Sequence, residues 1–292
     1  MIAVMENQKI PFKRRVASWV DAYKGHRRKV FGDVDLALRI HKELCDLIEA
    51  RLKMDVRAAS ILDVGCGQTA KQVALFTAAG AGIIGIDVEV PSYKMDLKTF
   101  IQTVRMNGFE RAAKSLARHL LFDRNFFGRL SARYSKAISL DRLDTRLMDA
   151  SDLSFSDNSF DLVCSVSALE HIESAEAALK EINRVLKPSG AAYIVVHLFP
   201  SLTGGHNFDG RVPPWDHLFD NLCPANTYLN KLRLKDYHEM FARNFTVLDD
   251  KYTHEGEDLL NPSLEMRLLA KGYSRDELLT GTVTYVCRKK RV

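Results

Sequence analysis

The residues best suited to chemistry lie in one short segment, Ser60–Ala70, which reads S-I-L-D-V-G-C-G-Q-T-A. Its first half is an apolar, partly β-branched run that predicts a buried strand, and the residues after it predict a helix. Gly65 and Gly67 separate the two, and glycines at such a turn let backbone amides approach a ligand closely. Asp63 lies two residues before the first glycine. A carboxylate there disfavours a pyrophosphate and favours a ligand that carries positive charge.

The spacing of residues around this turn bears on which nucleotide it binds. Gly65, Gly67 and Ala70 fit the G-x-G-x-x-G/A pattern, which is a weak signal on its own. Asp87 ends the next predicted strand, residues 81–87, and lies 22 residues after Gly65. A ribose-binding acid is expected about 20 residues after such a turn, and a carboxylate there can accept from both hydroxyls of any adenosine. With Asp63, this favours S-adenosyl-L-methionine, whose sulfonium and ammonium groups are positive, over a dinucleotide.

The composition is that of an ordinary globular protein that can bury a large core. The chain has 292 residues, of which 46% are hydrophobic and 27% charged. Its five cysteines form no C-x-x-C pair, so we expect free thiols rather than disulfides or a zinc site. The N-terminal residues lack the long apolar core of a signal peptide, and no apolar run is long enough to span a membrane. We therefore expect a cytoplasmic protein.

Three parts of the chain differ in charge and pattern. Residues 1–58 predict an N-terminal helical segment with a net charge of +5, and residues 59–292 the catalytic domain. Within it, residues 91–143 predict an insertion of three helices, and residues 92–148 carry a net charge of +7. A solvated basic face is the default interpretation. Contact with a phosphate or an anionic membrane is the alternative, and nothing resembles a nucleic-acid-binding module.

Several short motifs occur in a characteristic order. They read I-L-D-V-G-C-G, G-I-D, D-A-S-D-L-S-F-S-D-N-S-F-D-L-V, A-L-E-H-I and V-L-K-P-S-G, and they cover about residues 59–90 and 144–198. In this the chain resembles the class I S-adenosylmethionine-dependent methyltransferases, in particular the branch that acts on small molecules. The resemblance implies an α/β fold, a doubly wound, mostly parallel seven-stranded Rossmann-like sheet with an antiparallel last strand. The helical insertion departs from the family pattern.

The resemblance also implies seven positions that contact the cofactor. They are Asp63, Gly65, Gly67, Asp87, Asp149, Ala150 and Ser165. The first three would hold the methionine part and the fourth the ribose. Asp149 would accept from the adenine amino group, with the Ala150 amide near the ring. Ser165, taken to follow the fourth strand, would meet methionine or substrate.

The substrate side offers fewer clear candidates. Glu170 and His171 follow the fourth predicted strand, where structural, catalytic and metal-binding roles stay open. A single adjacent pair is not a metal-ligand set, because neighbouring side chains diverge on a helix. His206 lies in a glycine-rich loop after the fifth strand and is our preferred general base, with His171 as its rival. Three more residues of that loop are substrate-side candidates: Asp209, Trp215 and His217.

These observations favour an enzyme that methylates a small molecule, with O-methylation as the expected reaction. The positive charge of the insertion suggests a sugar, lipid or phosphate-bearing acceptor. Two alternatives remain at this stage, a non-catalytic adenosyl-binding scaffold and a nicotinamide-dependent oxidoreductase. Asp63 and the Asp149–Ala150 pair count against the oxidoreductase, and the acceptor-side histidines count against the scaffold.

Overall fold

A seven-stranded sheet organises the part of the chain that the computed structural model describes, residues 33–204, 213–219 and 228–290. Its strand order is β3-β2-β1-β4-β5-β7-β6. β1 to β5 run parallel, and β7 pairs antiparallel with β5 and β6. The strands are β1 Ser60–Val64, β2 Gly82–Asp87, β3 Thr145–Leu147, β4 Phe160–Val166, β5 Leu186–His197, β6 Phe245–His254 and β7 Thr280–Lys289. This is the expected doubly wound sheet with an antiparallel last strand.

Nine α-helical segments within the described residues cover the sheet and its connections. They are α1 at residues 33–47, α2 Lys71–Ala79, α3 Leu97–Asn107, α4 Phe109–Arg118, α5 Arg124–Tyr134, α6 Ala175–Val185, α7 Leu234–Asn244, α8 Pro262–Leu269 and α9 Arg275–Leu279. Two π-helical segments follow α1 and α4, at Ile48–Leu52 and His119–Asp123. Short 3-10 turns occupy Val56–Ala58, Leu140–Arg142, Leu169–His171 and Asp216–Leu218. None of the described helices is long and apolar enough to cross a membrane.

The alternation of side chains along β1 builds a core on each face of the sheet. Ile61 packs into a cluster with α1, α2 and α5, whereas Leu62 and Val64 pack into a second cluster with α6 and α7. A strand buried on both faces needs the near-continuous apolar run that the sequence shows. β1 is therefore an interior strand, paired with β2 and β4, and the sheet order reverses between β1 and β4. The carboxyl ends of strands at such a switch point form the usual ligand crevice of open α/β sheets.

The predicted insertion is helical throughout its middle. α3, α4 and α5 occupy the three apolar periodic stretches, and a single residue, Gly108, joins α3 to α4. Ion pairs attach the insertion to the rest of the chain, from Arg133 to Asp35 of α1 and from Arg111 to Glu89 after β2. The domain boundary at residues 58 and 59 stays a prediction.

Pro188, Ser189 and Gly190 predict a turn that leads into the fifth strand, whereas in the structure they form a bulge inside β5. β5 begins at Leu186, which pairs with Phe160, yet Leu162 pairs with Ala191. Two steps along β4 therefore correspond to five along β5. The amine of Lys187 donates to the carboxylate of Asp161 at 2.8 Å, which anchors the bulge to the neighbouring strand. Strand pairing across the sheet, rather than the local turn residues, decides the conformation here.

Candidate active site

The glycine turn after β1 is held in place by the end of β2. The amides of Gly65 and Cys66 both donate to the Ile86 carbonyl, at 2.9 and 3.0 Å, and the Gly67 amide donates to the Asp87 carboxylate at 2.9 Å. Both glycines have positive φ, 71° and 68°. A Cβ at Gly67 would meet open space, which leaves room for a ligand against the backbone. The turn is therefore a preformed cradle.

Gly65 also contacts the segment after β4, which we call the acceptor side because the substrate-side candidates Glu170 and His171 lie there. A Cβ at this position would lie 2.2 Å from the Cβ of Ala168, far inside contact distance. Ala168 precedes the 3-10 turn Leu169–His171 that follows β4. The absence of a side chain at Gly65 thus allows the segment after β4 to pack directly on the cradle.

The carboxylate of Asp87 is hydrogen-bonded both to the turn after β1 and to the segment that follows β2. Its carboxylate accepts from the Gly67 amide at 2.9 Å and from the Glu89 amide at 2.8 Å, one on each oxygen. Burial raises its pKa, although both amide bonds oppose that rise. Each oxygen retains a further lone pair. The predicted role of Asp87 as acceptor of ribose hydroxyls is compatible with this arrangement and stays a prediction.

Asp63 is a buried carboxyl group near the carboxyl end of β1. It is 4% exposed, and the thiol of Cys164 on β4 donates to it at 3.7 Å. Burial raises its pKa to about 7, and the charge of Asp87 adds to the rise. A cationic ligand beside it would offset both effects. That is the chemistry expected of a site for the methionine part of the cofactor.

The ends of β2 and β3 bring the adenine-side candidates next to the ribose acid. The Met148 amide donates to the Asp87 carbonyl at 3.0 Å, and Asp149 and the buried Ala150 follow directly. One oxygen of Asp149 accepts from the amide and the hydroxyl of Ser151, at 2.8 and 2.7 Å, which lowers its pKa. The side chain is therefore a fixed, ionised acceptor.

Ser165 lies within β4, as its penultimate residue, and so does not follow the strand as expected. Pairing of β4 with β5 continues as far as Val166, which extends the strand past this position. Ser165 is 1% exposed, and its hydroxyl finds no hydrogen-bond partner within the described part of the chain. A buried hydroxyl without a partner costs free energy unless a ligand supplies one.

Glu170 is the most deeply buried acid on the acceptor side. It lies in the 3-10 turn after β4 and is 3% exposed, and neither carboxylate oxygen has a hydrogen-bond partner among the residues described. Burial raises its pKa to about 7, and the nearby backbone of His197 only partly opposes this rise. Its carboxyl group can therefore exchange a proton near neutral pH.

His171 has a defined tautomer. Its Nδ1 atom lies 2.8 Å from the carbonyl oxygen of Tyr228. A carbonyl only accepts, so Nδ1 donates, and the neutral ring then carries its lone pair on Nε2. This is the arrangement of a histidine that can accept a proton through Nε2.

His197 is a site residue that sequence reasoning did not single out. It ends β5, and its Nε2 atom lies 3.2 Å from the hydroxyl of Thr203. Burial is the main cause that lowers its pKa to about 4, and its neighbours His171 and His217 contribute to the same shift. The available signal was a polar residue at the carboxyl end of an otherwise apolar strand, where ligands bind in such sheets.

The other predicted substrate-side residues have different outcomes. His206 and Asp209 lie outside the described residues, so the preferred general base stays a prediction. Trp215 is fully buried and donates from its indole nitrogen to the Leu278 carbonyl at 3.0 Å. His217 bonds the Phe199 carbonyl at 2.8 Å through Nε2. Trp215 lies in a small core with residues of α8 and α9, and the His217 ring packs edge-on against Phe199 at the border of that core.

These observations fit an adenosylmethionine site. The cradle has room over Gly67, three acids lie at or near the carboxyl ends of β1 to β3, and a buried hydroxyl on β4 lacks a partner among the described residues. Asp63, Gly65 and Gly67 would hold the methionine part, Asp87 the ribose, and Asp149 and Ala150 the adenine.

Comparison with known proteins finds a methyltransferase domain within the chain. A family model described as a methyltransferase domain matches residues 123–194. The chain is 24% identical over 311 aligned residues to the chloroplastic tocopherol O-methyltransferase of Arabidopsis thaliana, covering 93% of this chain and 78% of the relative. It is 38% identical over 69 residues to the uncharacterized protein YafE of Escherichia coli, covering 24% and 33%. A solved putative methyltransferase from Bacillus halodurans overlaps with a TM-score of 0.48 at 14% identity, covering 86% and 100%.

The strand order, the cradle and the matching family model together define an enzyme class. The chain is a class I S-adenosylmethionine-dependent methyltransferase, and S-adenosyl-L-methionine is its cofactor. The class predicted from the sequence motifs is confirmed.

We predict that Gly65→Ala is far more damaging than Gly272→Ala. Both glycines have positive φ, 71° and 85°, so both substitutions add backbone strain of about 1–2 kcal/mol. Only Gly65 has a neighbour in the way, Ala168, whereas Gly272 faces open space. Melting temperatures and S-adenosylhomocysteine affinities of both variants check this. Equal losses in the two variants would show that the contact with Ala168 is not needed.

We predict that the buried acids Asp63 and Glu170 lower the stability of the ligand-free protein as the pH rises from about 4 to 7. His41 and His197, whose pKa burial lowers to about 4, act in the opposite direction. Asp63 has a folded pKa of about 7 against an ordinary 3.8, so in this range the folded state binds the extra proton. Glu170, at about 7 against 4.5, acts in the same direction. Asp63→Asn and Glu170→Gln should each remove one declining contribution, so that the free energy of unfolding, measured by urea denaturation, falls less or rises more with pH than in the wild type. An unchanged slope in both variants would contradict the assigned burial.

Proposed function

We propose that the protein transfers a methyl group to a hydroxyl oxygen of a small molecule. The observation that carries this proposal is the packing of the segment after β4 on the cofactor cradle, through Ala168 and Gly65. This segment presents Glu170 and His171 beside the methyl donor's site, and His197 ends the neighbouring strand. A hydroxyl acceptor needs a proton acceptor at this position, and these side chains supply one.

The division of roles follows from the chemistry of each group. S-adenosyl-L-methionine supplies a methyl group already activated by a cationic sulfur, so positioning provides most of the catalysis. Asp63, Asp87 and Asp149 bind and orient it. His171 accepts the proton of the acceptor hydroxyl at Nε2, while its Nδ1 bond to the Tyr228 carbonyl fixes the ring. Burial lowers the pKa of His197 to about 4, so at neutral pH this ring is uncharged.

A relative supports the choice of oxygen as the acceptor atom. The chloroplastic tocopherol O-methyltransferase of Arabidopsis thaliana aligns with 93% of the chain, although at only 24% identity. Its name specifies O-methylation of tocopherol. We infer the same reaction class here, with a sugar, lipid or phosphate-bearing acceptor. His206 remains a second candidate for the base.

We predict that His171→Ala lowers turnover by about 100- to 10,000-fold, the usual loss for a missing general base. The affinity for S-adenosylhomocysteine should change by less than about threefold, because a tenfold change would require 1.4 kcal/mol. The acceptor is first identified by incubating hydroxyl-bearing metabolites with isotopically labelled methyl donor. Turnover and calorimetric affinity are then measured for the variant.

The matched control is His254→Ala, a histidine on β6 that is 55% exposed and pairs with Asp276. This variant should retain normal turnover. Near-normal turnover of His171→Ala, with a large loss only in His206→Ala, would move the base to His206. Label found on carbon or nitrogen would contradict O-methylation itself.

A further inference from the structure

One side of α3 combines large apolar side chains with basic ones in contact with solvent. Leu97 is 75% exposed, Ile101 42% and Met106 52%. Lys98 and Arg105 lie between them on the same half of the helix, and α3 contains no acid. The opposite half holds the buried Thr103 and faces the protein. The solvent-exposed face of α3 therefore carries both apolar and basic side chains, whereas such a face usually carries polar ones.

The exposed apolar residues are concentrated in this part of the insertion. Six of the fourteen large hydrophobic side chains that are exposed among the described residues lie between Leu97 and Leu121. Phe109, at the start of α4, is 70% exposed, and its ring packs edge-on against Phe100 of α3 at 6.3 Å. A concentration of exposed apolar side chains on a soluble domain marks an interaction surface.

The basic residues of α3 differ from three basic residues of α4 and α5 that form ion pairs. Arg111 pairs with Glu89, Lys114 with Glu110, and Arg133 with Asp35. Arg118 lies 3.4 Å from Asp123, so carboxylates largely neutralise the positive charges of Arg111, Lys114 and Arg118. Lys98 and Arg105, in contrast, lie within ion-pair distance of no carboxylate in the described ranges. Their charges remain available to an anionic surface.

The insertion is attached to the cofactor side of the sheet. The guanidinium of Arg111 donates to both carboxylate oxygens of Glu89 at 2.7 Å, and the amide of Gln68 in the cradle donates to the same carboxylate. The Ser92 amide donates in turn to the Gln68 carbonyl at 2.9 Å. The α3–α4 corner is thus coupled to the turn that would hold the cofactor.

We propose that this surface, made of Leu97, Lys98, Ile101, Arg105, Met106 and Phe109, docks on an anionic lipid bilayer. Apolar side chains enter the boundary between headgroups and acyl chains, and flanking lysine and arginine side chains contact the negative headgroups. A purely apolar surface would suit a protein partner equally well. Lys98 and Arg105 have no carboxylate within ion-pair distance in the described ranges, and α3 contains no acid. Both observations favour the lipid surface. This proposal does not depend on the identity of the methyl acceptor.

The test is co-sedimentation of the full chain with vesicles. Vesicles of phosphatidylcholine containing phosphatidylglycerol should bind the protein, and vesicles of phosphatidylcholine alone should bind it weakly. The double variant Leu97→Glu, Ile101→Glu should lower the partition coefficient at least about tenfold, because burial of two aliphatic side chains is lost. Lys98→Gln and Arg105→Gln should each lower it about fivefold, and added salt should weaken wild-type binding.

The matched control is Met266→Glu, Leu269→Glu on α8, where the side chains are 70% and 45% exposed. This control variant adds the same negative charge as the α3 double variant, at side chains of similar exposure. It should bind vesicles as well as the wild type does. Melting temperature and S-adenosylhomocysteine affinity should be unchanged in all variants, and if the α3 double variant misfolds, the two glutamine variants decide. Absent wild-type binding, or an equal loss in the control, would overturn the proposal. So would a dimer that disappears with Leu97→Glu, Ile101→Glu while vesicles fail to bind.

Discussion

The hydrogen bond from the Gly67 amide to the Asp87 carboxylate is the interaction on which the site depends. It joins the turn after β1 to the end of β2, and the Glu89 amide holds the second oxygen of the same carboxylate. Because Asp87 is fixed and partly buried, its charge raises the pKa of Asp63. Two acids held close together in a buried crevice repel each other. A cationic ligand between them relieves that repulsion, so the same bond shapes the cradle and selects the charge of its occupant.

The acceptor side follows a different electrostatic design. Burial raises the pKa of Glu170 to about 7 and lowers that of His197 to about 4. Desolvation therefore drives both groups towards their uncharged forms near neutral pH. The cofactor side has three acids, two of which have a pKa raised by burial, whereas the acceptor side combines one buried acid with histidines. This contrast suits a reaction in which a cationic donor meets a neutral acceptor that must lose a proton.

Sequence patterns predicted the features that depend on neighbouring residues. They missed the features that depend on contacts between distant parts of the chain. The apolar run and glycines around β1 defined the strand, the turn and the Gly80 end of α2, because each depends on neighbouring residues. The bulge at residues 188–190 depends on register with β4, which the turn residues alone do not reveal. Ion pairs such as Arg111–Glu89 neutralise charges that look solvated in the sequence. The burial of Trp215 likewise depends on α8 and α9, far along the chain.

The central claim is that the cradle binds the adenosylmethionine pair, and calorimetric titration tests it most directly. S-adenosyl-L-methionine and S-adenosylhomocysteine should bind the wild-type chain with defined stoichiometry, and Asp87→Asn should weaken both at least about tenfold, a loss of 1.4 kcal/mol. NAD should not bind at comparable concentration. Tight binding of NAD with no response to the adenosylmethionine pair would contradict the cofactor assignment and the enzyme class together.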